Sequence, residues 1–322
     1  MVVVVAMLLS RRVAVTGSTG FIGMHLLRGL HAAGAEIVAI AAADKHIERL
    51  DTLSFSVERI VLDDQCTVGD AVRQANAEYV IHLGASVSVA RTLDALDATL
   101  QQNLLPTISL LTAAAEARVS RVVLIGSCEE YSQRTSPFDT TQAADPSSPY
   151  GASKAAATAY ARMFANAFRL PTVILRPSVV YGPGQSNRML ISQVMHALSE
   201  GCPVEVTAGE QTRDFIYVED VVMAIIRSLT VPITEGDLWN VGSGEVVTVR
   251  DCLERIERIT GRTGLIQYGK RPYSENEIYR YELKVRETYA AFDWRPSVTL
   301  DEGLHKTWEF FRGKAQIDMP IG

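Results

Sequence analysis

Six short apolar runs, RVAVTG, AEIVAIA, VERIVLD, YVIHLGA, RVVLIGS and PTVILRP, recur along the first half of the chain with helix-length segments between them. Each is rich in β-branched residues and nearly continuous in hydrophobicity, the pattern of parallel strands buried on both faces. The alternation predicts an α/β chain with a doubly wound parallel sheet. After Tyr181 the pattern loosens into loops marked by Gly and Pro. It then predicts a strand at DFIYVED, a helix at DVVMAIIRSL, a short strand at LWNVGSG, an amphipathic segment at TVRDCLERIERIT and a last helix around DEGLHKTWEFF. No repeat or long linker separates the two regions, so the second is expected to pack onto the first.

Composition removes several classes of function. The 322 residues are 47% hydrophobic, enough for one large core and a smaller annex. A net charge of −6 offers no general attraction to nucleic acid or anionic lipid. The opening MVVVVAML is far shorter than the roughly 20 residues of a membrane span. Its arginines follow the apolar run, the reverse of a secretory signal. It reads as an extended start to the first strand, with order beginning near Met7. Cys66, Cys128, Cys202 and Cys252 are widely spaced without C-x-x-C, and the histidines form no H-x-x-x-H pair. No metal is expected, and free thiols suit a cytoplasmic protein.

VTGSTGFIGMHLL follows the first strand and opens a helix, the context in which a glycine fingerprint has meaning. Gly17 permits a tight turn, Gly20 a close approach of backbone to a pyrophosphate, and Gly23 close packing of helix on strand, with Thr19, Phe21 and Ile22 in the same phosphate loop. The helix N-terminus adds amides and positive dipole. This makes the sheet Rossmann-like. Residues 7–180 with a returning segment at about 214–242 form the expected dinucleotide domain, leaving 181–213 and 243–322 as the smaller substrate-binding region. An acid at the end of the second strand normally accepts the ribose 2′-hydroxyl of NAD. That position falls near Ala41, and the first acid is Asp44, beside Lys45 and close to Arg49. Missing carboxylate and nearby cations favour NADP(H), with NAD(H) the alternative. Asp63, after the third strand, reads equally as an adenine contact or a surface turn acid.

In SSPYGASKAAATAY, Ser148 is a good N-cap and Pro149 a good first helical residue. Tyr150 and Lys154 then share one helix face at i and i+4. An ammonium there is expected to lower the phenol's pKa and suit it to acid–base work. GSCEEYS closes the fifth strand with Ser127, Cys128, Glu129 and Glu130. Cys128 is a candidate further acid–base group, whereas Glu130 reads as a surface charge.

The ordered series TGSTGFIG, HLGA, GSCEEY, PYGASK, LRPSVVYGPGQ, GEQTRDFIYVEDVV and NVGSG resembles the extended short-chain dehydrogenase/reductase family over nearly the whole chain. Its members are nucleotide-sugar epimerases, dehydratases and reductases. The resemblance implies that Ser127 holds the reacting oxygen of a nucleotide-sugar substrate, Tyr150 exchanges the proton, and Lys154 binds the nicotinamide ribose. It further implies that Arg213 and Arg271 meet the diphosphate. Val179 stands where relatives often carry Asn, removing one expected polar contact. Glu129 occupies the place of the dehydratase acid. The cofactor reading nevertheless favours reduction of an NDP-4-keto-6-deoxyhexose, with dehydration through Glu129, 4-epimerisation, and a nucleotide-binding regulatory protein as alternatives. The helix bearing Tyr160, Phe164 and Phe168, with one around 98–117, is expected to form a homodimer interface.

Overall fold

The structure, a computed structural model, describes residues 7–43, 46–87, 92–132, 135–232, 234, 236–274 and 277–314. In chain order the first half contains β1 (Arg12–Thr16), α1 (Phe21–Ala32), β2 (Glu36–Ala42), β3 (Glu58–Leu62), α2 (Val68–Ala75), β4 (Tyr79–His82), α3 (Asp94–Thr99), α4 (Leu105–Glu116), β5 (Arg121–Ile125), α5 (Pro149–Phe168) and β6 (Thr172–Pro177). A π-helical turn at Leu100–Leu104 joins α3 to α4. There follow β7 (Val179–Tyr181), α6 (Leu190–Ser199), β8 (Val204–Glu205), β9 (Thr212–Tyr217), α7 (Val218–Thr230), β10 (Asp237–Val241), β11 (Val246–Thr248), α8 (Val249–Thr260), β12 (Ile266–Gln267), α9 (Arg286–Phe292) and α10 (Leu300–Lys314).

The six apolar runs are six neighbouring parallel strands. The sheet order is β10-β6-β5-β4-β1-β2-β3, with every pair parallel. Strand order therefore reverses between β1 and β4, and the crevice beyond their carboxyl ends is where such sheets bind ligands. Both faces are covered, as the continuous hydrophobicity requires. Leu26, Leu27 and Leu30 of α1 pack with Val221, Val222 and Ile225 of α7 on one face. Leu110 and Leu111 of α4, Val72 of α2 and Ala161 and Phe164 of α5 fill the other.

The C-terminal region has its own core, in which Val194 and Leu198 of α6, Leu253 and Ile256 of α8 and Leu304 and Trp308 of α10 surround Tyr181 and Phe215. Its three-stranded sheet has the order β11-β9-β7. β9 thus lies outside the main sheet, and the chain returns to that sheet through α7 and β10. The expected extended start to β1 differs from the structure from Met7 onward. Residues 7–10 form a turn, in which the Leu8 and Ser10 amides donate to the carbonyls of Ala33 and Gly34. The earlier part of MVVVVAML lies outside the described residues. Among the described residues no helix is long and apolar enough to cross a membrane.

Candidate active site

The phosphate loop starts where β1 ends. Gly17 has φ +67°, and a Cβ there would lie 2.8 Å from the Gly84 backbone nitrogen. A Cβ on Gly23 would lie 2.3 Å from the Gly17 carbonyl oxygen. Both positions need glycine for space, and together they leave a cradle against which a dinucleotide backbone fits. Gly20 is the N-cap of α1 and supplies no side-chain cap, so the first-turn amides around Phe21, Ile22 and Gly23 lack a capping side chain. Ser18 Oγ donates to the Ile40 carbonyl at 3.0 Å and ties the loop to β2. Thr19 is buried, and its carbonyl accepts from Arg49 Nη1 at 3.0 Å.

The floor under the loop is a chain of hydrogen bonds that joins the start of TGSTGFIG to HLGA and to α4. Thr107 Oγ donates to the Asn103 carbonyl at 2.7 Å, so it accepts from His82 Nε2 at 2.9 Å. His82 Nδ1 is then the acceptor for Thr16 Oγ at 2.6 Å, and Thr16 Oγ accepts from the Gly84 amide at 3.3 Å. Burial drives the His82 pKa down to about 3, which keeps the ring neutral in this tautomer. Asn103 also joins Ser86 to Ser153 of α5. Asn103 follows Gln101 and Gln102, so its burial was not visible in the local pattern.

Ala41 is buried in β2 opposite Val61 and brings no carboxylate to the strand end. Asp44 and Lys45 lie outside the described residues. Asp63 is exposed, and its Oδ1 accepts from the Gln65 and Cys66 amides at 2.8 Å each, which fits the surface-turn reading.

β5 delivers Ser127 and α5 delivers Tyr150 and Lys154 to the same place. Ser148 Oγ caps α5 by accepting from the Gly151 amide at 3.0 Å, with Pro149 first in the helix. The Tyr150 hydroxyl lies beside Ser127, which acts to lower its pKa. Burial raises the Tyr150 pKa, and the Ser127 contact only partly offsets this. The expectation that Lys154 would make the phenol more acidic is therefore corrected: Lys154 Nζ donates instead to the Ile125 carbonyl at 2.8 Å. Burial lowers the Lys154 pKa to about 8, against the opposing effect of Glu130. The pair thus presents a protonated phenol and a largely cationic amine at neutral pH.

Two neighbours of Ser127 differ from expectation. The Cys128 thiol is buried and pushed up to about 12, so it is no acid–base group near neutral pH. Glu130, read as a surface charge, is fully buried and paired with Arg176 of β6. The arginine inside the apolar strand PTVILRP signalled that some buried acid must meet it. Glu129 is half-buried and accepts from Ser132 Oγ at 3.3 Å.

Glu129, Cys128, Val179, Arg213, Glu277 and Tyr281 line a cavity of about 120 Å³. Ser274 and Glu277 connect it to one of about 390 Å³, where Arg271 lies with Glu205, Gln193 and Tyr273. Arg213 and Arg271 therefore line two neighbouring cavities, of which the smaller reaches Cys128 and Glu129, next in the chain to Ser127. Arg213 is not a free cation: its Nη2 pairs with Glu277 at 2.5 Å and its Nη1 donates to the Ile278 carbonyl. Arg271 is exposed.

Residues 13–242 match the NAD dependent epimerase/dehydratase family. The chain belongs to that family. A UDP-glucose 4-epimerase of Mycolicibacterium smegmatis is 31% identical over 95% of this chain and the whole of its own. A dTDP-4-dehydro-6-deoxyglucose reductase of Escherichia coli is 26% identical over 94% of this chain and 98% of its own. The solved structure of MoeE5 in complex with UDP-glucuronic acid and NAD is 31% identical, covers 94% of this chain and 99% of its own, and superposes with a TM-score of 0.84.

Proposed function

We propose that this protein is a cytoplasmic NADP(H)-dependent reductase of a nucleotide-activated keto sugar, an NDP-4-keto-6-deoxyhexose foremost. The observation that carries the reading is the Tyr150 phenol, a neutral proton donor buried beside Ser127. A carbonyl being reduced needs a proton donor at its oxygen, whereas an alcohol being oxidised needs a base. When bound, the nicotinamide supplies a hydride. Tyr150 gives its proton to the developing alkoxide, Ser127 Oγ–H orients that oxygen, and Lys154, a cation held at the Ile125 carbonyl, is the group for the nicotinamide ribose. The glycine cradle and the α1 amides suit the pyrophosphate. Ala41 and Arg49 favour a 2′-phosphate, since the strand end lacks a carboxylate and a fixed cation stands beside the loop. Arg271, exposed in the larger cavity, is the cation best placed for a nucleotide diphosphate, with Arg213, already paired with Glu277, in the adjoining cavity.

Epimerisation is the second reading, because the Mycolicibacterium relative carries that name and the same three residues serve oxidation and re-reduction. Mass spectrometry of nucleotide hexoses and nucleotide 4-keto-6-deoxy sugars incubated with NADPH or NADH separates the readings. A gain of two hydrogens with NADPH consumed in preference to NADH is expected. An isomer formed without net cofactor use indicates epimerisation, loss of water indicates dehydration through Glu129, and inertness toward every sugar overturns the enzyme reading.

A homodimer is also proposed. Leu96, Leu100, Leu105, Tyr160, Met163 and Phe168 expose apolar surface on the adjoining α3–α4 segment and α5. Phe164, expected on the same stripe, instead turns into the core. Such a patch marks an association surface. Light scattering at micromolar concentration is expected to return a dimer mass, and a monomer mass would remove the interface.

A further inference from the structure

Glu130 lies directly behind the reacting serine. Its Oε1 accepts from the Ser127 amide at 2.9 Å. Its Oε2 accepts from Thr158 Oγ at 2.8 Å and from Arg176 Nη2 at 2.5 Å. The carboxylate thus joins the end of β5 to β6 and to α5, where Thr158 stands one turn beyond Lys154. Arg176 in turn covers the Tyr131 ring at 4.4 Å, and the Tyr131 hydroxyl donates to Asn240 Oδ1 of β10 at 3.0 Å.

The contact to Ser127 is half of a reciprocal pair. Ser127 Oγ accepts from the Glu129 amide at 3.2 Å while Glu130 holds the Ser127 amide. With the serine's backbone fixed and its oxygen engaged as an acceptor, its hydroxyl proton remains available to a partner in the site. The chain even makes room for this arrangement: a Cβ on Gly126 would come within 2.4 Å of Glu130 Oε1. A buried ion pair is weak as a stability device, since apolar residues of similar volume often do as well. Its place behind Ser127 calls for another account.

We propose that Glu130 is a positioning residue, whose carboxylate locks the serine-bearing turn to the Tyr150 helix and so sets Ser127 against Tyr150 and the reacting oxygen. This rests on the reading of Ser127 and Tyr150 as the proton-handling pair. In Glu130→Gln the amide cannot accept from both Ser127 and Arg176, so one contact fails whichever way it turns. The expected result is a kcat lower by about 10- to 100-fold with little change in cofactor affinity, as for a small misplacement of a catalytic group. Hydrogen exchange in the peptide covering residues 126–132 is expected to quicken while the glycine loop stays protected.

Glu130→Val with Arg176→Met replaces the ion pair by apolar contact and guards against a single variant that does not fold. The positioning role predicts that this pair recovers the thermal midpoint but not kcat. Recovery of kcat together with the midpoint would overturn the proposal, as would wild-type kcat and exchange in Glu130→Gln. If the wild type turned over no nucleotide sugar, the functional reading would fail, and the exchange result would decide the role of Glu130 alone.

Discussion

Tyr150→Phe is expected to lower turnover by about 10²- to 10⁴-fold, the usual contribution of a positioned general acid. The substitution removes one hydroxyl and leaves the ring where it packs. Ser127 keeps its amide contact to Glu130, and Lys154 keeps its bond to the Ile125 carbonyl. Dinucleotide affinity, read by fluorescence titration, is therefore expected to stay within about two-fold, because none of the glycine-loop contacts involves the phenol. A loss of turnover below about ten-fold would mean that another group donates the proton. A parallel loss of cofactor binding would mean that the ring's main role is to hold the nicotinamide.

Gly17→Ala should have the largest effect on the folded state. The new methyl would meet the Gly84 nitrogen at 2.8 Å and the Gly84 Cα and Leu83 carbonyl carbon at 2.9 Å, and these backbone atoms cannot swing aside. Left-handed backbone adds its own strain. Together the two terms cost about 2–4 kcal/mol. For a chain of this length the Tm is expected to fall by about 3–6 °C. Dinucleotide affinity should fall by at least about ten-fold, because the collision displaces the loop that faces the pyrophosphate. Gly201→Ala is the control: φ there is +68°, yet nothing lies within 4 Å of the new Cβ. It should lose about 1 kcal/mol from backbone strain and leave dinucleotide affinity unchanged. Equal melting and equal binding losses in the two variants would remove the collision from the account.

The parts of this molecule legible in its sequence are those fixed by near neighbours. Strand after strand announced itself because a parallel strand buried on two faces has almost no polar position to spare. The glycine loop and the start of α5 were legible because turn, cap and first helical turn fall within a few residues of one another. Glu130 was not legible. In GSCEEYS it resembles any acid at the end of a strand, and its burial depends on Thr158 and Arg176, which are distant in the chain and meet it only when α5 and β6 pack. The acidity of Tyr150 was misjudged for a related reason. Spacing put Lys154 on the right face of α5, but the direction of its ammonium was decided by the Ile125 carbonyl on another strand. The two cavity arginines were found as residues, yet the Glu277 that engages Arg213 comes from a loop with no pattern of its own.

The central claim is that a hydride passes from nicotinamide to a sugar carbonyl and stays there. Incubating the protein with a nucleotide 4-keto-6-deoxyhexose and NADPH carrying deuterium at both C4 positions tests it most directly. The account predicts one deuterium, bound to carbon, in the product sugar for each NADPH oxidised. A sugar product without deuterium, formed while NADPH remains unconsumed, would contradict it.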